Sequence, residues 1–131
     1  MKAGTVLLKK VSQPEFLKDV CKKGDLIRTR LNELKNKVSI IGDIRGVGLM
    51  VGTEFVNPKG QRDLQGSLPA SGEIAAKVQK MCFENYLVAE KGGRDGSVMR
   101  CLCALNISEE DVNKALDIFE KCVLEIDKEY K

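Results

Sequence analysis

The sequence predicts an α+β fold, in which helices pack on a small, mostly antiparallel sheet. Two observations predict it. Apolar residues recur with helical spacing in three segments, and short strand-like runs lie between these segments beside glycine-rich turns. The order is helix, glycine-rich strand, loop, helix, strand hairpin, helix. The 131 residues are enough for one domain with its own core.

The first quarter of the chain predicts helix. The segment 4-GTVLLKK-10 could end an earlier helix, and 12-SQPE-15 starts the next one, with Ser12 as its cap and Pro14 in its first turn. Gly24 falls on the apolar stripe of that helix, which predicts close packing at this point. The stripe consists of Phe16, Leu17, Val20, Ile27, Leu31 and Leu34.

The segment 38-VSIIGDIRGVGLMVGTEF-55 predicts a strand, because its four glycines disfavour a helix. A phosphate-binding loop is the alternative, but no helix starts after the glycines and the G-K-[ST] signature is missing. Arg45 and Glu54 could be a catalytic pair, but a surface ion pair is the favoured interpretation. Residues 57–72 are rich in Gly, Pro and Ser and predict a loop.

The second half predicts a helix at 71–84, then strands at 86–90 and 97–105 that form a hairpin through the turn 91–96. The last helix follows Ser108, which is its predicted N-cap. Its apolar face is Val112, Ala115, Leu116, Phe119, Cys122, Val123 and Ile126.

Composition excludes several classes of function. The net charge is +3 with six aromatic residues, which does not favour nucleic-acid binding, and no apolar run approaches a membrane span of about 20 residues. The N-terminus lacks the features of a signal peptide. Because histidine is absent, neither a Ser-His-Asp nor a Cys-His site is possible.

The five cysteines predict reduced thiols and a cytoplasmic protein. Cys21, Cys82 and Cys122 lie on the apolar faces of predicted helices, which indicates core packing. The Cys101-x-Cys103 pair has no second pair and no histidine to complete a zinc site, so no metal is expected.

Arg100 interrupts the apolar run 97-SVMRCLCAL-105. Val98 and Leu102 share its side of an alternating strand, and the other side is apolar too, so the strand is expected to be covered on both faces. A buried guanidinium needs an anion. Glu54 or Glu90 could supply it, or a bound ligand with a carboxylate could, and the two alternatives remain open.

Two segments resemble a known family. The segment 43-DIRGVGLMVGTEF-55 is similar to the D-[IV]-R-G-x-G-L-M-x-G-x-E-F strand of class III (ornithine/4-aminobutyrate type) pyridoxal-phosphate (PLP) aminotransferases. The segment 92-GGRDGSVMRCLCALNIS-108 resembles their G-x-V-[VI]-R-F-L-P-P-L-x-I-[ST] strand and helix entry. Together with 71-SGEIAAKVQKMCFENYLVAE-90, its GGR-x-G looks most like the diaminobutyrate–2-oxoglutarate transaminase branch.

The resemblance implies that residues 1–131 are the C-terminal small domain of a fold-type I PLP enzyme, without the large domain that holds the cofactor. It implies that Arg100 grips the carboxylate of an amino acid or 2-oxo acid substrate. The parent enzyme would be a cytoplasmic homodimer that transfers an amino group between a diamino or ω-amino acid, such as 2,4-diaminobutyrate, and 2-oxoglutarate. No catalytic, cofactor-binding or metal-binding residue is expected in this chain, which alone would be inactive.

Alternatives are the 4-aminobutyrate, ornithine or acetylornithine branch, a carboxylate-binding module without chemistry, and a structural domain that mediates association. The sequence also departs from the family. The family's F-L-P-P is Cys101-Leu102-Cys103-Ala104 here, and the loss of both prolines predicts a looser chain after Arg100. The family's Arg-Gly after the second helix is Asn85-Tyr86, where Asn85 could take the left-handed cap conformation.

Overall fold

The computed structural model describes all residues from 1 to 131. The chain forms four main helices and four strands, together with one short 3-10 turn. These are α1 (Lys2–Val11), α2 (Pro14–Lys35), β1 (Ile41–Val47), β2 (Met50–Phe55), α3 (Gly72–Glu84), β3 (Glu90–Gly92), the turn (Arg94–Gly96), β4 (Val98–Leu102) and α4 (Glu109–Asp127). No helix is both long enough and apolar enough to cross a bilayer.

The strands form one antiparallel sheet in the order β1-β2-β4-β3. Its inner face carries Val51, Phe55 and Met99, which belong to one core with the buried faces of α2, α3 and α4. Its outer face is largely open. The expected α+β architecture is confirmed, but the expectation that β4 is covered on both sides is wrong, because the helices lie on one face only.

The glycine-rich segment is a hairpin rather than the single predicted strand. Gly46 has φ 154° and Gly48 has φ 55°, so the chain reverses between β1 and β2. Helix α2 packs against this reversal at Gly24, where a Cβ atom would lie only 2.6 Å from the carbonyl carbon of Gly48. The predicted close packing at Gly24 is therefore confirmed.

Two helix starts differ in their capping. Ser108 caps α4 as predicted, since its hydroxyl accepts a hydrogen bond from the Asp111 amide at 3.0 Å. Ser12 does not cap α2. It ends α1, and its hydroxyl donates to the carbonyl of Leu8 at 2.6 Å. Helix α2 begins with Pro14 at its first position, after Gln13. Helix α1 ends directly before α2, and Ser12 belongs to the C-terminal end of α1.

The second hairpin, its helix and its loop occur as predicted, with shifted strand bounds. Helix α3 begins after Ser71, and residues 57–70 form no helix or strand beyond one isolated bridge between Val56 and Ala70. Strand β3 covers only Glu90–Gly92, because residues 86–89 lack ladder pairing. Tyr86, rather than Asn85, takes the positive φ of 64° after α3.

The predicted packing role holds for two of the three helical cysteines. Cys82 and Cys122 are buried side by side between α3 and α4, where burial raises the pKa of the Cys82 thiol to about 12. Cys21 is exposed, so its predicted place in the core is wrong. It directly follows Val20 of the buried stripe of α2, and one residue along a helix is a rotation of about 100°, which turns Cys21 toward solvent.

Candidate functional site

The outer face of the sheet carries a row of side chains that runs across all four strands. Antiparallel pairing aligns Arg45 of β1 with Gly52 of β2, Gly52 with Arg100 of β4, and Arg100 with Glu90 of β3. Cross-strand partners project to the same side of a sheet, so the two arginines stand on one face with a glycine between them.

Arg100 is exposed rather than buried. Its side chain keeps 43% of its accessible surface, and its Nη2 donates to Oε1 of Glu90 at 2.9 Å. The partner is thus one of the two carboxylates that the sequence suggested, since Glu54 pairs elsewhere. A guanidinium has five N–H donors, and Glu90 engages one of them. The remaining donors are free to bind a further anion.

Two glycines make room for the Arg100 side chain. A Cβ atom on Gly92 would lie 3.0 Å from Cζ of Arg100, so a side chain at position 92 would collide with the guanidinium. Gly52, opposite Arg100 on β2, adds no side chain on the other flank. The sequence contained both glycines, but their relation to Arg100 arises only through the strand register.

Arg45 has the surface ion pairs that the sequence favoured. Its Nη1 lies 2.8 Å from Oδ2 of Asp43 and 2.5 Å from Oε2 of Glu54. The hydrogen bonds that Arg45 donates, first to Asp43 and then to Glu54, raise the pKa of Arg45, and the bond to Asp43 lowers the pKa of that carboxyl group. These groups neutralise one another, which supports a structural role over a catalytic one.

Lys23 is a buried residue that sequence reasoning missed. It is only 2% exposed, and its Nζ donates to the carbonyls of Leu105 at 3.1 Å and Ile107 at 2.9 Å, and pairs with Asp19 at 2.6 Å. It therefore restrains the connection after β4 that the loss of the prolines was expected to loosen. The sequence signal for its burial is its position on the apolar stripe of α2, one residue before Gly24.

The chain provides no fitting site for PLP. Lys23 is the sole buried lysine, and its three donors are already satisfied. A Schiff-base lysine must instead have an unprotonated amine that faces a ligand cleft. No group of three or more His, Cys, Asp or Glu side chains lies close enough to hold a metal ion. On the outer face, Arg100 is the arginine whose guanidinium keeps donors beyond its bond to Glu90.

Comparison with known proteins identifies the family. The family model for class III aminotransferases matches residues 1–123. The chain belongs to the class III aminotransferases. The family resemblance of the two sequence motifs is thereby confirmed.

Curated relatives of this aminotransferase chain include proteins with two kinds of reaction in their names. Diaminobutyrate–2-oxoglutarate aminotransferase of Haemophilus influenzae is 34% identical over 125 residues, which are 95% of this chain and 28% of that protein. Alanine/serine racemase of Pyrococcus horikoshii is 33% identical and matches 92% of this chain and 24% of its own length. The chain spans about a quarter of the length of the curated relatives it matches.

Solved structures confirm the fold. A phospholyase from Arthrobacter superimposes with a TM-score of 0.81 at 20% identity, over 93% of this chain and 28% of that one. Acetylornithine aminotransferase from Elizabethkingia anophelis gives a TM-score of 0.65 at 24% identity, over 85% and 24% of the respective chains. At these identities the likeness concerns the fold alone, which is that of the corresponding part of PLP-dependent aminotransferases.

Proposed function

We propose that this chain is the carboxylate-binding C-terminal part of a PLP-dependent aminotransferase that transfers an amino group between 2,4-diaminobutyrate and 2-oxoglutarate. The observation that carries the proposal is Arg100, which stands on an open sheet face with guanidinium donors to spare. The diaminobutyrate relatives support the choice of amino acid. One relative is named as a racemase and so does not support amino-group transfer, which means that the reaction needs a direct test.

Arg100 binds the substrate carboxylate through paired N–H donors. A planar guanidinium matches the two oxygens of a carboxylate, and charge-assisted hydrogen bonds are about twice as strong as neutral ones. Glu90 already neutralises part of the charge, so an incoming carboxylate must either displace Glu90 or bind to the opposite edge of the guanidinium. Position 92 must stay a glycine for the guanidinium to keep its place.

The outer face also presents apolar residues that fit a protein neighbour. Val47, Met50 and Leu102 form a cross-strand row beside the Arg45–Arg100 row, and all three are exposed. This surface packs against the cofactor-binding part of the enzyme, so that Arg100 faces the site where that part holds PLP. PLP supplies the carbanion chemistry, and this chain positions the substrate.

Titration of the 15N-labelled chain with 2-oxoglutarate and with 2,4-diaminobutyrate tests the carboxylate site. We expect amide shifts in residues 98–105 that Arg100→Ala removes. Arg45→Ala is the matched control, because it deletes an arginine from the same sheet face and should leave the shifts intact. Shifts that persist in Arg100→Ala contradict the role of Arg100.

An activity assay of the chain with added PLP, 2,4-diaminobutyrate and 2-oxoglutarate tests whether these residues alone can catalyse transamination. We expect neither glutamate formation nor a PLP absorption band that borohydride fixes to a lysine. Turnover by the chain alone contradicts the proposal that the cofactor site lies outside these residues. Carboxylate binding by a full-length protein that still shows no transamination would identify a binding module without chemistry.

A further inference from the structure

Cys101 and Cys103 form a thiol pair that the carboxylate site does not use. They lie two residues apart at the end of β4, so their side chains project to the same face of the sheet. Both are partly exposed, both pack against the core, and both border a cavity of about 450 Å³. Thr53 and Leu116 lie on other walls of this cavity. The two thiols therefore share a wall with open space beside it, which leaves room for them to rotate toward each other.

No metal site accounts for this pair. No third His, Cys, Asp or Glu side chain lies close enough to complete one, and zinc needs about four ligands. Burial, and then the neighbouring Cys103 thiol, raise the pKa of the Cys101 thiol to about 11, so Cys101 is protonated at neutral pH. The reaction open to two neighbouring thiols without a third ligand is oxidation to a disulfide.

The backbone after β4 decides whether the two sulfurs can bond. Two residues of an antiparallel strand separate their Cα atoms by about 6.8 Å, which is the upper end of the usual disulfide range of about 4.4–6.8 Å. A bridge therefore needs a small bend. The last ladder pair of β4 is at Leu102, and no proline fixes the chain after it. Lys23 holds the carbonyl of Leu105 at 3.1 Å, so the bend is confined to residues 103–104.

We propose that Cys101 and Cys103 are a reversible oxidation site, which a low-molecular-weight disulfide converts into an intramolecular disulfide bond. The Cys103 thiolate, which lies beyond the ladder, attacks one sulfur of the oxidant and expels the other as a thiolate. The Cys101 sulfur then attacks the Cys103 sulfur and expels the second thiolate. The oxidant is thereby reduced to two thiols, which take up the two cysteine protons. A bridge across a single residue is strained, and strained disulfides are the labile ones.

The test uses an excess of glutathione disulfide and the chain with Cys21→Ser, which removes the exposed lone thiol. We expect the tryptic peptide 101–114 to lose two hydrogens in mass and to regain them with dithiothreitol. Cys82 and Cys122, which are at most 1% exposed, are the internal control and should remain thiols. An unchanged mass of peptide 101–114, or a bridge between Cys82 and Cys122 in its place, overturns the proposal. This readout does not involve carboxylate binding, so it stands or fails separately from the proposed function.

Two variants test the order of the steps. Cys101→Ser removes the second nucleophile and should trap a stable glutathione adduct on Cys103. Cys103→Ser should form its adduct on Cys101 at least about tenfold more slowly, because burial still raises the pKa of that thiol and keeps it protonated. Equal rates of adduct formation in the two variants, measured by mass, overturn the assignment of Cys103 as the first nucleophile.

Discussion

Arg45 and Arg100 stand on the same face of the sheet, one on each side of Gly52, but they differ in how completely they are neutralised. Arg45 pairs with two carboxylates, Asp43 and Glu54, whereas Arg100 pairs with Glu90 alone. A guanidinium with two partners stabilises its own hairpin, and one with a single partner can still receive a ligand. The two residues are of the same type, so the number of neighbouring carboxylates is what distinguishes their roles.

The two hairpins also differ in how firmly the rest of the chain holds them. The β1–β2 hairpin is fixed from behind, because Gly24 of α2 touches its turn at Gly48 and Asp127 of α4 holds Ser39 just before it. In the β3–β4 hairpin, β3 is an edge strand of only three residues, and residues 86–89 before it have no strand partner. We infer that the first hairpin is the rigid support and that the second is the part that can adapt to a ligand.

The strongest test of the rigid hairpin is Gly24→Ala. The added methyl group would meet backbone atoms of Gly48, which cannot move aside as a side chain could. Overpacking of up to about 3 kcal/mol outweighs the gain in helix propensity of about 1 kcal/mol, so we expect a loss of about 2 kcal/mol in urea unfolding. Gly4→Ala in α1, with no atom within 4 Å, is the control and should not destabilise.

Asp127→Asn tests the second anchor of the rigid hairpin. Asp127 is fully buried, and its Oδ1 accepts from the amide of Ser39 at 2.7 Å and from the hydroxyl of Ser39 at 2.8 Å. Loss of the charge should lower the free energy of unfolding by about 1.5 kcal/mol at pH 7. Glu110→Gln, on the exposed side of α4, should change it by less than about 0.5 kcal/mol.

The same anchor predicts a pH dependence. Burial opposes ionisation of Asp127, but the hydrogen bonds that Ser39 donates and the contact with Lys131 outweigh it and hold the pKa of Asp127 below its usual value. A carboxyl with a lowered folded pKa stabilises above the unfolded pKa and loses this effect as the pH falls. The difference in unfolding free energy between wild type and Asp127→Asn should therefore narrow below about pH 4. An unchanged difference at pH 3 would contradict this account.

Gly92→Ala tests the adaptable hairpin. Its methyl group would meet the Arg100 guanidinium, which is the end of a flexible side chain and can move away. We expect the unfolding free energy to change by less than about 1 kcal/mol and the affinity for 2-oxoglutarate to fall about tenfold. Gly24→Ala should show the opposite pattern, with stability lost and affinity kept in the folded fraction. If Gly92→Ala leaves the affinity for 2-oxoglutarate unchanged, binding does not depend on the position of the Arg100 guanidinium over residue 92.

Glu90→Gln gives the smallest expected effect. It removes the charge that competes with a ligand carboxylate for Arg100, so 2-oxoglutarate should bind roughly threefold more tightly. Glu54→Gln is the matched control at Arg45 and should leave the affinity unchanged. Weaker binding in Glu90→Gln would mean that Glu90 orients Arg100 rather than competing for it.

Much of the fold was predictable from local signals. The buried stripe of α4, the Ser108 cap and the helix after Ser71 follow from spacing and capping rules that act within a few residues. The reversal at Gly48 was missed, because four glycines in one segment are compatible with either a bent strand or a hairpin. Ser12 was assigned to the wrong helix, since the serine lies between two helices and local chemistry permits both roles.

The sequence by itself determined the helices, the loop at 57–70 and the choice of Arg100 as the candidate carboxylate receptor, because periodicity, capping and motif similarity depend on residues near in the chain. Only the tertiary structure decided that Arg100 faces outward, that Glu90 is its partner and that Gly92 makes room for it. It likewise decided that Lys23 is buried and that Thr53 lines a cavity. These are contacts between residues distant in sequence, and strand register and helix packing set them.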